Sequence, residues 1–277
     1  MYEIVAKEEL APVTKLIEVR APEIARKSRA GQFAILRVVE EGERIPLTFA
    51  DFDRGKGTLT LIFQEVGKTT YHLGTLEVGD TLASLTGPLG NPTEVGLYGT
   101  VLCIGGGVGI AAIYPIARAL HEAGNETISI IGARNKGLLF WEGRMLEVSD
   151  ELIVCTDDGS YGRKAFVTMP EKELLESGRE INRIWAVGPA IMMKFASLTS
   201  QPFGVKTIVS LNPIMIDGTG MCGGCRVEVG GKIYFACVDG PEFDAHQVNW
   251  DLLMARQRMY LEQEKRTLEL FKEGQSE

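Results

Sequence analysis

Cysteine, basic charge and long apolar runs are all scarce in this chain, and each scarcity excludes something. Five cysteines in 277 residues, three of them gathered between positions 222 and 237, do not make a disulfide framework. A reducing, cytoplasmic setting is expected instead. No apolar run approaches the roughly 20 residues that a membrane-spanning helix needs. The opening residues, Met1-Tyr2-Glu3-Ile4-Val5-Ala6-Lys7-Glu8, lack the basic-then-apolar pattern of an export signal. A net charge of −8 without any basic stripe disfavours nucleic acid as a partner. Internal repeats and low-complexity segments are missing too. What is left, with 45% hydrophobic and 24% charged residues, is an ordinary globular composition, long enough for two domains and a small third.

Residues 1–98 read as β. Thr14–Val19, Phe33–Val39, Thr58–Gln64 and Thr81–Leu85 are short β-branched or apolar runs separated by Gly, Pro and Asp, the pattern of a barrel or sandwich. Near Gly99 the pattern changes. Thr100–Ile104, Thr127–Ile131, Leu152–Thr156, Arg183–Val187 and Lys206–Leu211 are nearly unbroken apolar strands. Helical stretches lie between them: one running to Ala123 with Pro115 expected in its first turn, then Pro170–Leu175 and Ala190–Ser200. Such alternation predicts a parallel sheet covered on both faces. Arg226–Val229 and Lys232–Ala236, joined at Gly230-Gly231, read as a hairpin. Residues 250–277 favour helix, with Leu253, Tyr260, Leu268 and Phe271 as a stripe for packing on the chain itself or on a partner.

The chemistry concentrates at Asp217-Gly-Thr-Gly-Met-Cys222-Gly-Gly-Cys225, followed by Cys237. A plant-type 2Fe–2S loop has the spacing C-x4-C-x2-C and a distant fourth Cys. Here Asp217 holds the first position, so Asp217, Cys222, Cys225 and Cys237 form a candidate ligand set. Three Cys and one Asp also suit a mononuclear zinc, the thiols could be plain buried ones, and Asp217 could simply cap a turn. Cys103 and Cys155 fall within apolar strands and read as core.

Other candidate sites are individually weak. A flavin needs an apolar bed, a hydrogen bond near its reactive edge and donors for its pyrophosphate. Thr48 in Ile45-Pro46-Leu47-Thr48 offers a hydroxyl, and Gly67, Thr69 and Thr70 offer a backbone-amide nest. That Gly-Lys-Thr-Thr stretch is equally a plain turn and lacks phosphate-loop spacing. Gly107-Val108-Gly109-Ile110-Ala111-Ala112 fits G-x-G-x-x-A between a strand and a helix, where backbone can approach a pyrophosphate. The acidic residue a dinucleotide fingerprint asks for about 20 residues on is absent: the next strand ends Ile131-Gly132-Ala133-Arg134.

The order of these parts, together with Ala30-Gly31-Gln32-Phe33, Gly105-Gly106-Gly107-Val108-Gly109, Thr156-Asp157-Asp158-Gly159-Ser160-Tyr161-Gly162, Gly188-Pro189 and the cysteine loop, resembles the ferredoxin–NADP⁺ reductase superfamily. The likeness runs to about residue 245. It is greatest to the branch with a C-terminal 2Fe–2S domain, which includes the electron-transfer subunit of dihydroorotate dehydrogenase B and the small subunit of NADH-dependent ferredoxin–NADP⁺ oxidoreductase. The resemblance implies a multidomain fold: an antiparallel β-barrel binding FAD (1–98), an α/β parallel-sheet nucleotide domain (99–211), a small 2Fe–2S domain (212–249) and a terminal helix (250–277). It puts FAD on Pro46, Leu47, Thr48, Ile62, Phe63, Gln64, Gly67, Thr69 and Thr70. It puts NAD(H) on Gly105, Gly106, Gly107, Val108, Gly109, Asp157, Asp158, Gly188 and Pro189. Arg134 and Lys136 leave NADP(H) open, but the paired carboxylates favour NADH. Hydride transfer needs no side-chain acid or base, so no catalytic residue is expected.

Three departures from the superfamily's pattern stand out: Ile45 where its flavin motif has Arg, Val187 where many relatives have Cys, and Asp217 for the first thiol. The last favours the small subunit of the ferredoxin–NADP⁺ oxidoreductase, an electron-bifurcating transhydrogenase. Its partner is a larger flavin and iron–sulfur subunit that binds NADPH and ferredoxin. The alternative is the electron-transfer subunit of dihydroorotate dehydrogenase B in pyrimidine synthesis.

Overall fold

In a computed structural model that describes residues 2–274, the chain forms two seven-stranded sheets and a separate hairpin. The first sheet contains β1 (Tyr2–Ala11), β2 (Thr14–Arg20), β3 (Phe33–Arg37), β4 (Ile45–Asp53), β5 (Thr58–Gln64), β6 (Thr81–Leu82) and β7 (Ser84–Leu89). Their order is β6-β1-β2-β5-β4-β3-β7, with every pairing antiparallel. The run expected as one strand over Thr81–Leu85 divides at Ala83, and its halves take the two opposite edges. Consecutive residues at both edges draw the sheet into a nearly closed barrel. Ile17, Val19, Leu36, Phe49, Leu59, Leu61 and Phe63 fill it. A fully buried side chain of this kind contributes about 1.5–3 kcal/mol. Helix α1 (Pro22–Ala25) follows β2, and α2 (Lys68–Thr75) follows β5.

The second sheet contains β8 (Thr100–Gly106), β9 (Glu126–Ala133), β10 (Glu151–Thr156), β11 (Arg163–Lys164), β12 (Arg183–Val187) and β13 (Lys206–Ser210), all parallel. Their order is β11-β10-β9-β8-β12-β13. Alternate residues serve opposite faces. Val101, Cys103, Ile131 and Trp185 pack with α3 (Gly109–Glu122), whereas Leu102, Ile104, Ile128, Ile130 and Ile184 pack towards α6 (Ala190–Ser200). Helices α4 (Glu142–Glu147) and α5 (Thr168–Glu176) complete the layers. Pro115 is not in the first turn of α3 but inside it, because the helix already begins at Gly109. Cys103 and Cys155 are buried, as strand positions in these layers require.

Beyond residue 211 the chain keeps to the same body. The hairpin β14 (Arg226–Val229) and β15 (Lys232–Phe235) turns at Gly230-Gly231, and β16 (Glu242–Asp244) returns antiparallel to β13 as the sheet's outer strand. The tail is two helices rather than one: α7 (Trp250–Gln257) and α8 (Leu261–Gly274). Trp250 and Leu253 bury α7, while α8 reaches the barrel, where the Phe271 ring meets Tyr71 and His72 of α2. Of the expected stripe, Leu253 is in the core and Tyr260 is exposed. Residues 275–277 of the expected helix lie outside the described residues.

Candidate functional site

Barrel and sheet face each other across a cavity of about 1030 Å³, at the top of the roughly 300–1,000 Å³ range for one drug-sized ligand. From the barrel come Phe33 on β3, Pro46, Leu47 and Thr48 on β4, Ile62, Phe63 and Gln64 on β5, and Thr70 at the start of α2. From the sheet come Gly106 at the end of β8 with Gly107, Val108 and Gly109 beyond it, Asp157 after β10, and Gly188 and Pro189 after β12. All three loops leave the carboxyl ends of parallel strands, where ligands bind in open α/β sheets.

Local chemistry explains the glycine loop. Gly107 takes φ +54° and donates its N–H to the Gly132 carbonyl (2.8 Å). A side chain on Gly109 would strike the Val187 carbonyl, so α3 can start hard against β12. The helix N-terminus thereby opens into the cavity with its positive dipole end.

Four expected residues lie outside the lining, each with its own reason. The Gly67 amide is held by the Thr70 hydroxyl at 3.1 Å, and the Thr69 hydroxyl donates to Glu43. Gly105 serves close packing, since a Cβ there would meet Ile113 at 2.8 Å. The Asp158 carboxylate caps its own turn by accepting from Ser160 N–H. Arg44 is exposed. Lys136 places its ammonium over the Tyr161 ring at 5.1 Å, and Arg134 lines the cavity. Burial pushes the Asp157 carboxyl above its ordinary range, Asp158 adds to the rise, and Arg134 opposes it.

Sequence reasoning missed a third wall. Ser210 at the end of β13 and Leu211, Asn212, Pro213 and Met215 after it run directly into the cavity, and Pro241 joins them. So do Met192 and Phe195 of α6. These mostly apolar side chains carry no motif; only the return of β16 to the sheet edge brings Pro241 there.

The thiol loop begins two residues beyond Met215. A Cβ on Gly218 would meet Leu89 at 2.6 Å and Ile35 at 2.9 Å, so the loop lies directly on the barrel. The hairpin brings Cys225 and Cys237 together, Sγ to Sγ 3.2 Å, both buried. Cys222 is exposed, with the Gly224 N–H on its sulfur at 3.4 Å. Arg256 of α7 donates to the Gly224 carbonyl and braces the loop. Burial, then Cys225, pushes the Cys237 thiol up to about 12, so metal binding there must expel protons. The Asp217 carboxylate accepts from the amides of Thr219 and Cys222, both at 2.9 Å, and these bonds hold it below its ordinary range. Among the described residues no three His, Cys, Asp or Glu already converge as a metal site. The donor set nonetheless suits iron: two thiols on one glycine-rich loop with a carboxylate on the same turn, and a third thiol carried back by the hairpin to touch one of them. Each Asp217 oxygen accepts one amide and keeps a lone pair with which it could also meet a metal.

An antiparallel barrel and a parallel sheet enclosing one cleft, with a thiol loop against both, define a reductase of the ferredoxin–NADP⁺ reductase type extended by an iron–sulfur segment. Residues 212–249 match the iron–sulfur cluster binding domain of dihydroorotate dehydrogenase B. A dihydroorotate dehydrogenase B (NAD⁺) electron-transfer subunit homologue of Thermotoga maritima is 50% identical over 271 residues, 98% of this chain and 95% of that one. The electron-transfer subunit of Desulforamulus reducens is 33% identical over 87% of this chain and 95% of its own length. A solved structure of the NADH-dependent reduced ferredoxin–NADP oxidoreductase, a flavin-based electron-bifurcating enzyme, superposes with a TM-score of 0.92 at 49% identity, covering 98% of both chains. The chain belongs to the family of the electron-transfer subunits of dihydroorotate dehydrogenase B and their homologues, flavin- and iron–sulfur-dependent subunits of oxidoreductase complexes.

Proposed function

We propose that this chain is the small subunit of an NADH-dependent ferredoxin–NADP⁺ oxidoreductase, passing electrons between NAD(H), FAD and a 2Fe–2S cluster. The observation that carries this reading is the cavity to which barrel and sheet both contribute, whose third wall runs from Ser210 through Met215 towards the thiol loop. When bound, FAD supplies the exchange between hydride and single electrons, and the cluster a one-electron carrier.

The protein's own work is binding and orientation. Pro46, Leu47, Ile62 and Phe63 give an apolar bed, Thr48 a hydroxyl at its edge, and Thr70 the start of α2. The N-terminus of α3 receives a pyrophosphate, and Gly188-Pro189 bring β12 up to the reacting ring. Asp157 suits a ribose hydroxyl and repels a 2′-phosphate, which selects NADH over NADPH. Cys222, Cys225, Cys237 and Asp217 hold the cluster. A partner of larger size carries the sites for NADPH and ferredoxin, in a cytoplasmic setting. Among the described residues no helix is long and apolar enough to cross a membrane.

The match of residues 212–249 favours a second reading, the electron-transfer subunit of a dihydroorotate dehydrogenase. Oxygen-free purification from the source cell separates the two. A large flavin and iron–sulfur subunit, with NADPH-dependent reduction of both NAD⁺ and ferredoxin, supports the first. A dihydroorotate-oxidising partner overturns it and establishes the second.

A further inference from the structure

Glu242 stands where three segments that run into the cofactor cavity meet. It follows Pro241, which lines the cavity. One carboxyl oxygen accepts the Thr93 hydroxyl at 2.5 Å, and the other accepts the Trp185 indole N–H at 3.3 Å. Thr93 lies in the linker between barrel and sheet, and its amide is bonded to the Ala30 carbonyl of the barrel at 2.9 Å. Trp185, 1% exposed, is on β12, two residues before Val187 of the cavity wall. A Cβ on Gly31, two residues before cavity-lining Phe33, would come within 2.7 Å of the same carboxyl. The junction therefore has no slack: a change at this carboxyl moves barrel, sheet or both.

We propose that Glu242 is a positioning residue for hydride transfer, holding the barrel against the sheet through Thr93 and Trp185 and loosening that hold when it takes up a proton. This rests on the reading of the cavity as the shared flavin and nicotinamide site. The chemistry is direct. A carboxylate accepts at both oxygens, whereas the neutral acid carries a hydrogen on one of them; the Thr93 hydroxyl can turn to accept from that hydrogen, but the Trp185 indole N–H, which can only donate, is left on an uncharged and weaker acceptor. Burial pushes the group up to about 7, against the pull of the Thr93 and Trp185 hydrogen bonds, and Glu94 raises it further. The titratable and charged groups around it are Glu94 and Tyr98 on the linker, Arg183 on β12 and the Cys103 thiol on β8. Arg183 is taken up by Glu94 at 3.4 Å and by the Tyr98 ring at 3.8 Å, and burial keeps the Cys103 thiol neutral. Glu242 is thus the group of this set that changes charge near neutrality.

The test uses the native complex and Glu242→Gln, which keeps the shape but not the proton. The Trp185 indole N–H resonance, assigned with Trp185→Phe, should titrate with a midpoint near 7 in the wild type and stay flat in the variant. Anaerobic stopped-flow should show flavin reduction by NADH rising several-fold between about pH 6 and pH 8, with E242Q fixed at the slow, low-pH rate throughout. An indole resonance that does not move with pH in the wild type overturns the inference. So does an E242Q complex that keeps the wild-type pH profile. A wild-type complex whose flavin NADH does not reduce sinks the cavity reading instead, and the indole titration still decides the proton-dependent hold.

Discussion

Glu171 on α5 is fully buried, and neither of its carboxyl oxygens has a hydrogen-bond partner. Burial pushes it from 4.5 up to about 9. Because the folded value exceeds the unfolded one, its contribution to stability is greatest below about pH 4.5 and declines as pH rises towards 9. An unsatisfied buried polar group costs about 1–3 kcal/mol. Glu171→Met should therefore raise Tm by several degrees at pH 8 and by less at pH 5, measured by calorimetry. A uniform gain or a loss at both pH values would contradict this. Asp157 makes a prediction about the cavity. Removing its charge should raise the ratio of NADPH to NADH use about tenfold in Asp157→Asn, a difference of about 1.4 kcal/mol, read as kcat/KM for each nucleotide. These two carboxylates differ in how legible they were. Asp157 sits in a Thr-Asp-Asp-Gly turn at the end of a parallel strand, a place that faces the cavity. Glu171 is one of three glutamates in Thr168–Glu176 with nothing in the sequence to set it apart, and only the packing of α5 makes it buried.

Among the elements, legibility followed how much of a strand's burial its own residues declare. The second sheet's strands were visible because both faces are covered and nearly every residue is apolar, as in Leu102, Cys103 and Ile104. Strand β1 was not, since it is rich in Glu and Lys and buries only Ile4 and Ala11. Strand β4 was hidden by Pro46 and by its charged end, although Pro46 pairs with Ile35 in the barrel. The break between α7 and α8 has no breaker residue; Arg258, Met259 and Tyr260 are compatible with helix, and the turn comes from α7 docking by Trp250 and Leu253 while α8 leaves for the barrel. With no buried residue of its own, α8 depends on ring contacts to α2. Phe271→Ala should speed amide exchange throughout α8 while moving the global Tm by no more than a few degrees. A cooperative loss of the whole fold would show that α8 belongs to the core instead.

At the scale of the molecule, barrel and sheet are fastened by charge as well as by apolar packing. Asp51 of β4 pairs with Arg118 of α3 at 2.7 Å and Arg144 of α4 at 3.2 Å. The guanidinium of Arg118 lies over Phe52 and Tyr114, and that of Arg144 over Tyr114 and Trp141. The sequence showed barrel, sheet and thiol loop in order, because glycines and cysteines mark each one. It did not show that residues 210–215 and Pro241 close the cavity, because that depends on β16 returning to the sheet. The same closure makes the central claim testable: electrons pass between the cavity and the thiol loop. The direct measurement is electron paramagnetic resonance of the native complex, purified without oxygen and reduced with NADH, compared with Asp217→Cys and Cys225→Ser. A 2Fe–2S signal should develop with NADH, change in spectrum and potential in D217C, and vanish in C225S. Zinc without iron at the loop, or flavin bleaching by NADH with no cluster signal assignable to this subunit, would contradict it. An unchanged signal in D217C would return Asp217 to the turn it already caps.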